Sequence, residues 1–88
     1  MRYSVTRLCG GKALMVTPCE RISLDIVKIS DALSKVGDIA KTDDMMLVMS
    51  WKGVEVTVYS QGKIMFYPVD DRDVAVSYAN DILSMLIE

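Results

Sequence analysis

MMLVMSWKGVEVTVYSQGKIMFYPV, residues 45–69, decides the fold, because its apolar side chains recur at every second position in segments divided by two glycine-containing turns. The two-residue turn Lys52-Gly53 sets the register, placing Trp51 opposite Val54, Met49 opposite Val56 and Leu47 opposite Val58. Residues directly opposed on antiparallel strands share a side of the sheet, so these six define the core face. The second face then carries Met46 beside Tyr59, Val48 beside Thr57 and Ser50 beside Glu55, and is only half polar. A three-residue turn at Ser60-Gln61-Gly62, with Gly62 left-handed, sends Ile64 and Phe66 into the core and Met65 and Tyr67 to the second face. A two-residue turn at Gln61-Gly62 would reverse that parity. The strands expected are 45–51, 54–59 and 63–69, with 38–42 as a short edge strand.

Upstream the period changes. Ile22, Ile26, Ile29, Leu33 and Val36 recur at spacings of four and three, one apolar stripe along a helix. Thr17-Pro18-Cys19-Glu20 has the form of its start: Thr17 as N-cap, Pro18 at the first helical position and Glu20 reaching back. A start near Ser23 is the other reading, because residues 21–27 also alternate. Gly37 would end the helix by adopting the left-handed conformation. Residues 2–8 and 12–17 around Cys9-Gly10-Gly11 read as a hairpin. Downstream, Asp70-Asp71-Arg72-Asp73 opens a final helix with Asp70 able to cap, and Ala75, Tyr78 or Ala79, Ile82 and Leu86 form its stripe. The expectation is an α+β fold over 1–88: a curved antiparallel sheet of five or six strands with two helices packed on one face.

An 88-residue chain has room for one core, and with half its residues apolar and a quarter charged it falls in the globular range rather than the disordered one. Cys9 and Cys19 are the only cysteines and histidine is absent, which leaves neither a disulfide framework nor a Cys/His zinc site within one chain; a cytoplasmic location is expected. The start, 1–7, is polar and no apolar run approaches the ~18 residues that span a bilayer, so neither secretion nor membrane insertion is expected. Residues 1–41 hold seven basic and four acidic side chains, and 42–88 three and eight, a dipolar chain whose acidic half argues against a whole-surface nucleic-acid binder.

Without histidine, a nucleophile would need Lys, Asp or Glu as its base, and none is spaced for it; no cofactor or metal is expected, and a small-molecule enzyme is the least favoured reading. Cys9 beside Gly10-Gly11-Lys12 reads as a small buried hydrophobe rather than a thiol activated by a cation. Gly10-Gly11-Lys12 and Gly62-Lys63 lack the eight-residue phosphate-loop pattern and read as hairpin turns. Asp43-Asp44 and Asp70-Asp71-Asp73 lack the alternating ligands of a calcium loop and read as a loop ending and a helix cap. Of seven methionines, Met45, Met49 and Met85 are expected in the core. Met46 and Met65 differ: with Val48, Thr57, Tyr59 and Tyr67 they form a patch on the helix-free face, a surface for a protein partner or for a second copy in a homodimer. The alternative is nucleic-acid binding by the same face, aided by Arg2, Arg7 and Lys12.

The run from Leu47 to Phe66, sharpest at Thr57-Val-Tyr-Ser-Gln-Gly-Lys-Ile64, together with the final helix, resembles one repeat of the TATA-box-binding protein fold across roughly residues 12–87. The resemblance implies a strand, a helix, a curved antiparallel sheet and a long last helix. In that family two repeats in one chain bend the DNA minor groove with phenylalanine wedges. Here one repeat is present; Tyr59 falls at one wedge position and Asp44 near the other, where a carboxylate repels phosphate. Single-copy domains of this kind also serve as accessory modules of nucleic-acid enzymes.

Overall fold

The computed structural model describes residues 3–7, 12–20, 23–69 and 71–87. Its elements run β1 (Tyr3–Arg7), β2 (Leu14–Pro18), α1 (Ile26–Leu33), β3 (Asp38–Thr42), β4 (Met46–Trp51), β5 (Val54–Tyr59), β6 (Ile64–Tyr67) and α2 (Arg72–Ile87). All six strands join one antiparallel sheet, open at both edges, in the order β1-β2-β6-β5-β4-β3.

The meander forms as its alternation dictates. Lys52 (φ 52°) and Gly53 (φ 79°) are both left-handed, as the tightest two-residue hairpin turn requires, and the register runs Trp51↔Val54 through Met46↔Tyr59. Gly62, at φ 95°, closes the Ser60-Gln61-Gly62 turn, and Val58 pairs with Ile64. Parity is therefore the one a three-residue turn dictates: Ile64 and Phe66 are fully buried, while Met65 and Tyr67 are outward.

Both helices lie on the face of Leu47, Met49, Trp51, Val56, Val58, Ile64 and Phe66, joined there by Leu14 and Val16 of β2. α1 contributes Ile26, Ile29 and Leu33; α2 contributes Ala75, Ala79, Ile82 and Leu83. The two alanines let the α2 backbone come close to the sheet, and Tyr78 meets Trp51 edge-on at 5.1 Å and Phe66 at 6.0 Å. Each fully buried Leu, Ile, Val or Phe contributes roughly 1.5–3 kcal/mol relative to exposure, so this layer is the main source of stability.

The first helix departs from expectation. Thr17 and Pro18 end β2 rather than opening a helix, and α1 starts at Ile26, more than two turns after Pro18 and close to the alternative start near Ser23. Asp25 caps it, its Oδ1 accepting from the Val27 amide at 3.0 Å and the Lys28 amide at 3.5 Å. Pro18 is the last residue of β2, opposite Tyr3 of the edge strand β1 and beyond the Leu14–Val16 pairing with β6, a strand-end position where proline is tolerated. Ile22, Leu86 and Asp70 are expected stripe or cap residues whose side chains lie outside the described set; the carboxylate that caps α2 is Asp71, accepting from the Asp73 amide at 2.9 Å and the Val74 amide at 3.4 Å. α1 also ends before Gly37. After Leu33 the bonds tighten, the Val36 amide reaching Leu33 O at 3.1 Å, and this tighter winding rotates Val36 off the stripe into solvent. Gly37 is not at positive φ; an added Cβ would press on Met49 and on the Ser50 carbonyl oxygen, so close approach of β4 is what requires glycine there. Met45 (61% exposed) and Met85 are likewise outside the core, Met45 because it precedes β4 in the loop and Met85 because it lies off the α2 stripe.

Candidate functional site

With both helices on one side, the opposite face of the sheet carries no covering element among the described residues. The N-terminal hairpin does not fold over it. Instead β1 and β2 extend the sheet sideways beyond β6.

Register fixes what that face displays. One row crosses all six strands at a single level: Thr6, Met15, Met65, Thr57, Val48 and Lys41. At the strand spacing of about 4.8 Å it is about 24 Å long. On one side of it Tyr59 pairs with Met46, and Lys63 lies opposite Tyr59, its carbonyl accepting from the Tyr59 amide at 2.9 Å. On the other side Tyr67 pairs with Glu55, Glu55 with Ser50 and Ser50 with Asp38. All six residues expected there, Met46, Val48, Thr57, Tyr59, Met65 and Tyr67, are therefore brought onto one surface. They are not equally available: Tyr67 is 46% exposed, Met46, Val48, Tyr59 and Met65 are half-buried, and Thr57 keeps only 2% because Met65 and Val48 flank it on the neighbouring strands. The centre of the face is therefore presented by Met65 and Val48 rather than by Thr57.

Met15 and Thr17 of β2 belong to the same face and were missed by sequence reasoning. The alternation of Leu14-Met15-Val16-Thr17 is the available signal, but it does not say where the 2–8/12–17 hairpin joins the sheet, which is a long-range property. Arg2, expected in the nucleic-acid alternative, lies outside the described residues. Arg7 pairs with core Leu14 and so shares the helix side rather than the open face. Lys12 is exposed at the entrance to β2, where its carbonyl accepts from the Val69 amide at 2.9 Å. The charges on the open face are instead Lys41 and Lys63 against Asp38 and Glu55, a balanced set.

Elsewhere the chemistry is spoken for. Asp43 Oδ1 accepts from the amides of Met45 at 2.7 Å and Met46 at 3.0 Å, so it closes the loop into β4 as an Asx turn. No group of three or more Cys, Asp or Glu side chains converges among the described residues. An open groove of about 630 Å³ runs between α1 and β3, lined by Val27, Lys28, Asp31 and Thr42 among others, and no acid–base pair converges in it. Burial raises the Tyr3 phenol above its ordinary range; its hydroxyl donates to Asn80 Oδ1 at 3.3 Å, tying β1 to α2. Cys19 is a free, exposed thiol. No helix of the described chain is long and apolar enough to cross a membrane.

Comparison with protein-family models, with curated proteins and with solved structures found no match to this chain.

Proposed function

We propose that this chain is a non-enzymatic binding module whose contact surface is the helix-free face of the sheet, centred on Thr57 and Met65 and bounded by Tyr59 and Tyr67. One observation carries the reading: an outward row dominated by Met, Val and Thr runs unbroken across six strands with no element over it among the described residues. Sheets exposed to water on one side ordinarily alternate to polar residues there. This one spends methionine and tyrosine instead, side chains that adapt to and anchor partners. The order strand, helix, four strands, helix from β2 to α2 also supports reading the fold as akin to one TATA-box-binding-protein repeat. The balanced charge of the face favours a protein partner over phosphate. Cysteine usage favours a reducing compartment such as the cytoplasm.

A photoreactive phenylalanine analogue at Tyr67, compared with one at Val27 on the far side (73% exposed), tests the assignment in cells making the protein at native level. Adducts form from position 67 and not from 27, and Tyr59→Asp removes them by placing a charge at the contact. Equal adducts from both positions, or none from 67, overturn it. Titration of labelled DNA and RNA at low salt settles the nucleic-acid alternative: binding that weakens steeply with salt would replace the protein partner.

A further inference from the structure

The geometry points to a second copy of this chain as the occupant of that face, docked about a two-fold axis that runs parallel to the strands between β5 and β6. This rests on the face being the binding surface, and adds what covers it. Such an axis keeps each residue at its own level along the strand while exchanging β6 with β5, β2 with β4 and β1 with β3. Every outward residue of β6 then faces, on the copy, the type of residue it pairs with in its own chain.

The consequences are specific. Met65 faces Thr57, so on both sides of the axis a long flexible side chain lies over the Val48 and Met65 side chains that cover that threonine in the copy. Tyr67 faces Glu55, a phenol hydroxyl against a carboxylate, and Lys63 faces Tyr59, an ammonium against a ring. Further out Met15 faces Val48, Thr17 faces Met46 and Lys41 faces Thr6. No two like charges are opposed. The other in-plane axis, across the strands, sets each mid-row residue over itself: Met65 on Met65, and Lys41 on Lys41. Size and charge both favour the first.

Area is sufficient. β4, β5 and β6 each present three outward positions and β1, β2 and β3 two, which at about 33 Å² apiece make roughly 490 Å² in projection, and side-chain relief raises the accessible area above that. Two such faces bury on the order of 1,000 Å² or more, the level a specific interface has to clear. The product is a sandwich of two sheets about 10 Å apart with aligned strands, a packing open antiparallel sheets adopt readily.

Sedimentation equilibrium from micromolar to millimolar protein reads the stoichiometry, and cysteine cross-linking reads the axis. In a background with Cys9→Ser and Cys19→Ser, chains carrying Met15→Cys are mixed with chains carrying Val48→Cys and treated with a short bismaleimide. Dimers are expected, with the mixture cross-linking and Met15→Cys alone failing to, since equal Met15 positions are then displaced sideways by about 14 Å. Met65→Lys gives monomers and Val27→Lys leaves dimers. Cross-linking of Met15→Cys with itself overturns the axis. A monomer at millimolar concentration overturns the second copy altogether; if position 67 still forms photo-adducts with another protein, the face remains the binding surface, and if it forms none, that reading falls as well.

Discussion

Replacing Gly37 by alanine separates two accounts of why glycine stands there. As a left-handed helix cap, Gly37 would lose about 1 kcal/mol on becoming Ala, and Asn would restore part of it. The structure assigns the cost to contact instead. An alanine Cβ would lie 2.7 Å from the Ser50 carbonyl oxygen and against Met49 Cε. The methionine can swing away. Ser50 cannot, because its backbone belongs to β4, where it pairs with Asp38, the residue next to Gly37. Relief requires β3 to shift on β4, and overpacking of this kind costs about 1–3 kcal/mol. With about 2 kcal/mol lost, a chain of this length melts roughly 8–16 °C lower. Urea unfolding followed by fluorescence of Trp51, the only tryptophan, reads the change in midpoint at constant slope. Gly37→Asn costs at least as much as Gly37→Ala, being larger. A Gly37→Ala cost under about 0.5 kcal/mol, or an Asn variant clearly more stable than the Ala variant, would refute the contact argument.

Three further outcomes follow from the same packing. Lys52→Met removes an ammonium that sits 4.6 Å from the Trp51 ring centre, 5.4 Å from that of Tyr78 and 3.8 Å from Asp81; because the ion pair is half exposed, urea titration shows a loss of only about 0.5–1 kcal/mol, smaller at high salt. Asp71→Ala strips the α2 cap and costs about 1 kcal/mol, read by the same titration, whereas a neutral result would assign the capping elsewhere. Tyr3 has its phenol raised by burial, so the unfolded chain releases that proton first: its contribution is complete below about pH 10 and is lost as pH climbs through the folded value. Melting curves between pH 9 and 11.5 therefore fall more steeply for the natural chain than for Tyr3→Phe; parallel curves would show that burial of the phenol is not coupled to folding.

The meander was legible residue by residue because everything that specifies it is local: a period of two, a Lys-Gly turn and a turn closed by Gly62. All six side chains expected on the open face follow from that register alone. The start of α1 was not legible, since Thr17-Pro18-Cys19-Glu20 satisfies the local rules of a helix N-terminus equally well. What overrules them is β2's place between β1 and β6, a pairing across some fifty residues that no local pattern contains. The same long-range pairing hid Met15 and Thr17 from the candidate face. Gly37 shows a third kind of limit: its position at the helix end was readable, but the Ser50 carbonyl that demands it is not its neighbour in sequence.

Methionine oxidation followed by mass spectrometry tests most directly whether the helix-free face is the open, binding side of this protein, because the chain places methionines on each kind of surface. In dilute protein treated with peroxide, Met45 oxidises fast, Met49 slowest, and Met15, Met46 and Met65 at intermediate rates, following their exposure. When the protein is concentrated until the face is engaged, those three slow toward Met49 while Met45 is unchanged. Protection of Met15, Met46 and Met65 equal to that of Met49 already in dilute solution would contradict the open face, and rates that do not move on concentration would contradict a second copy as its occupant.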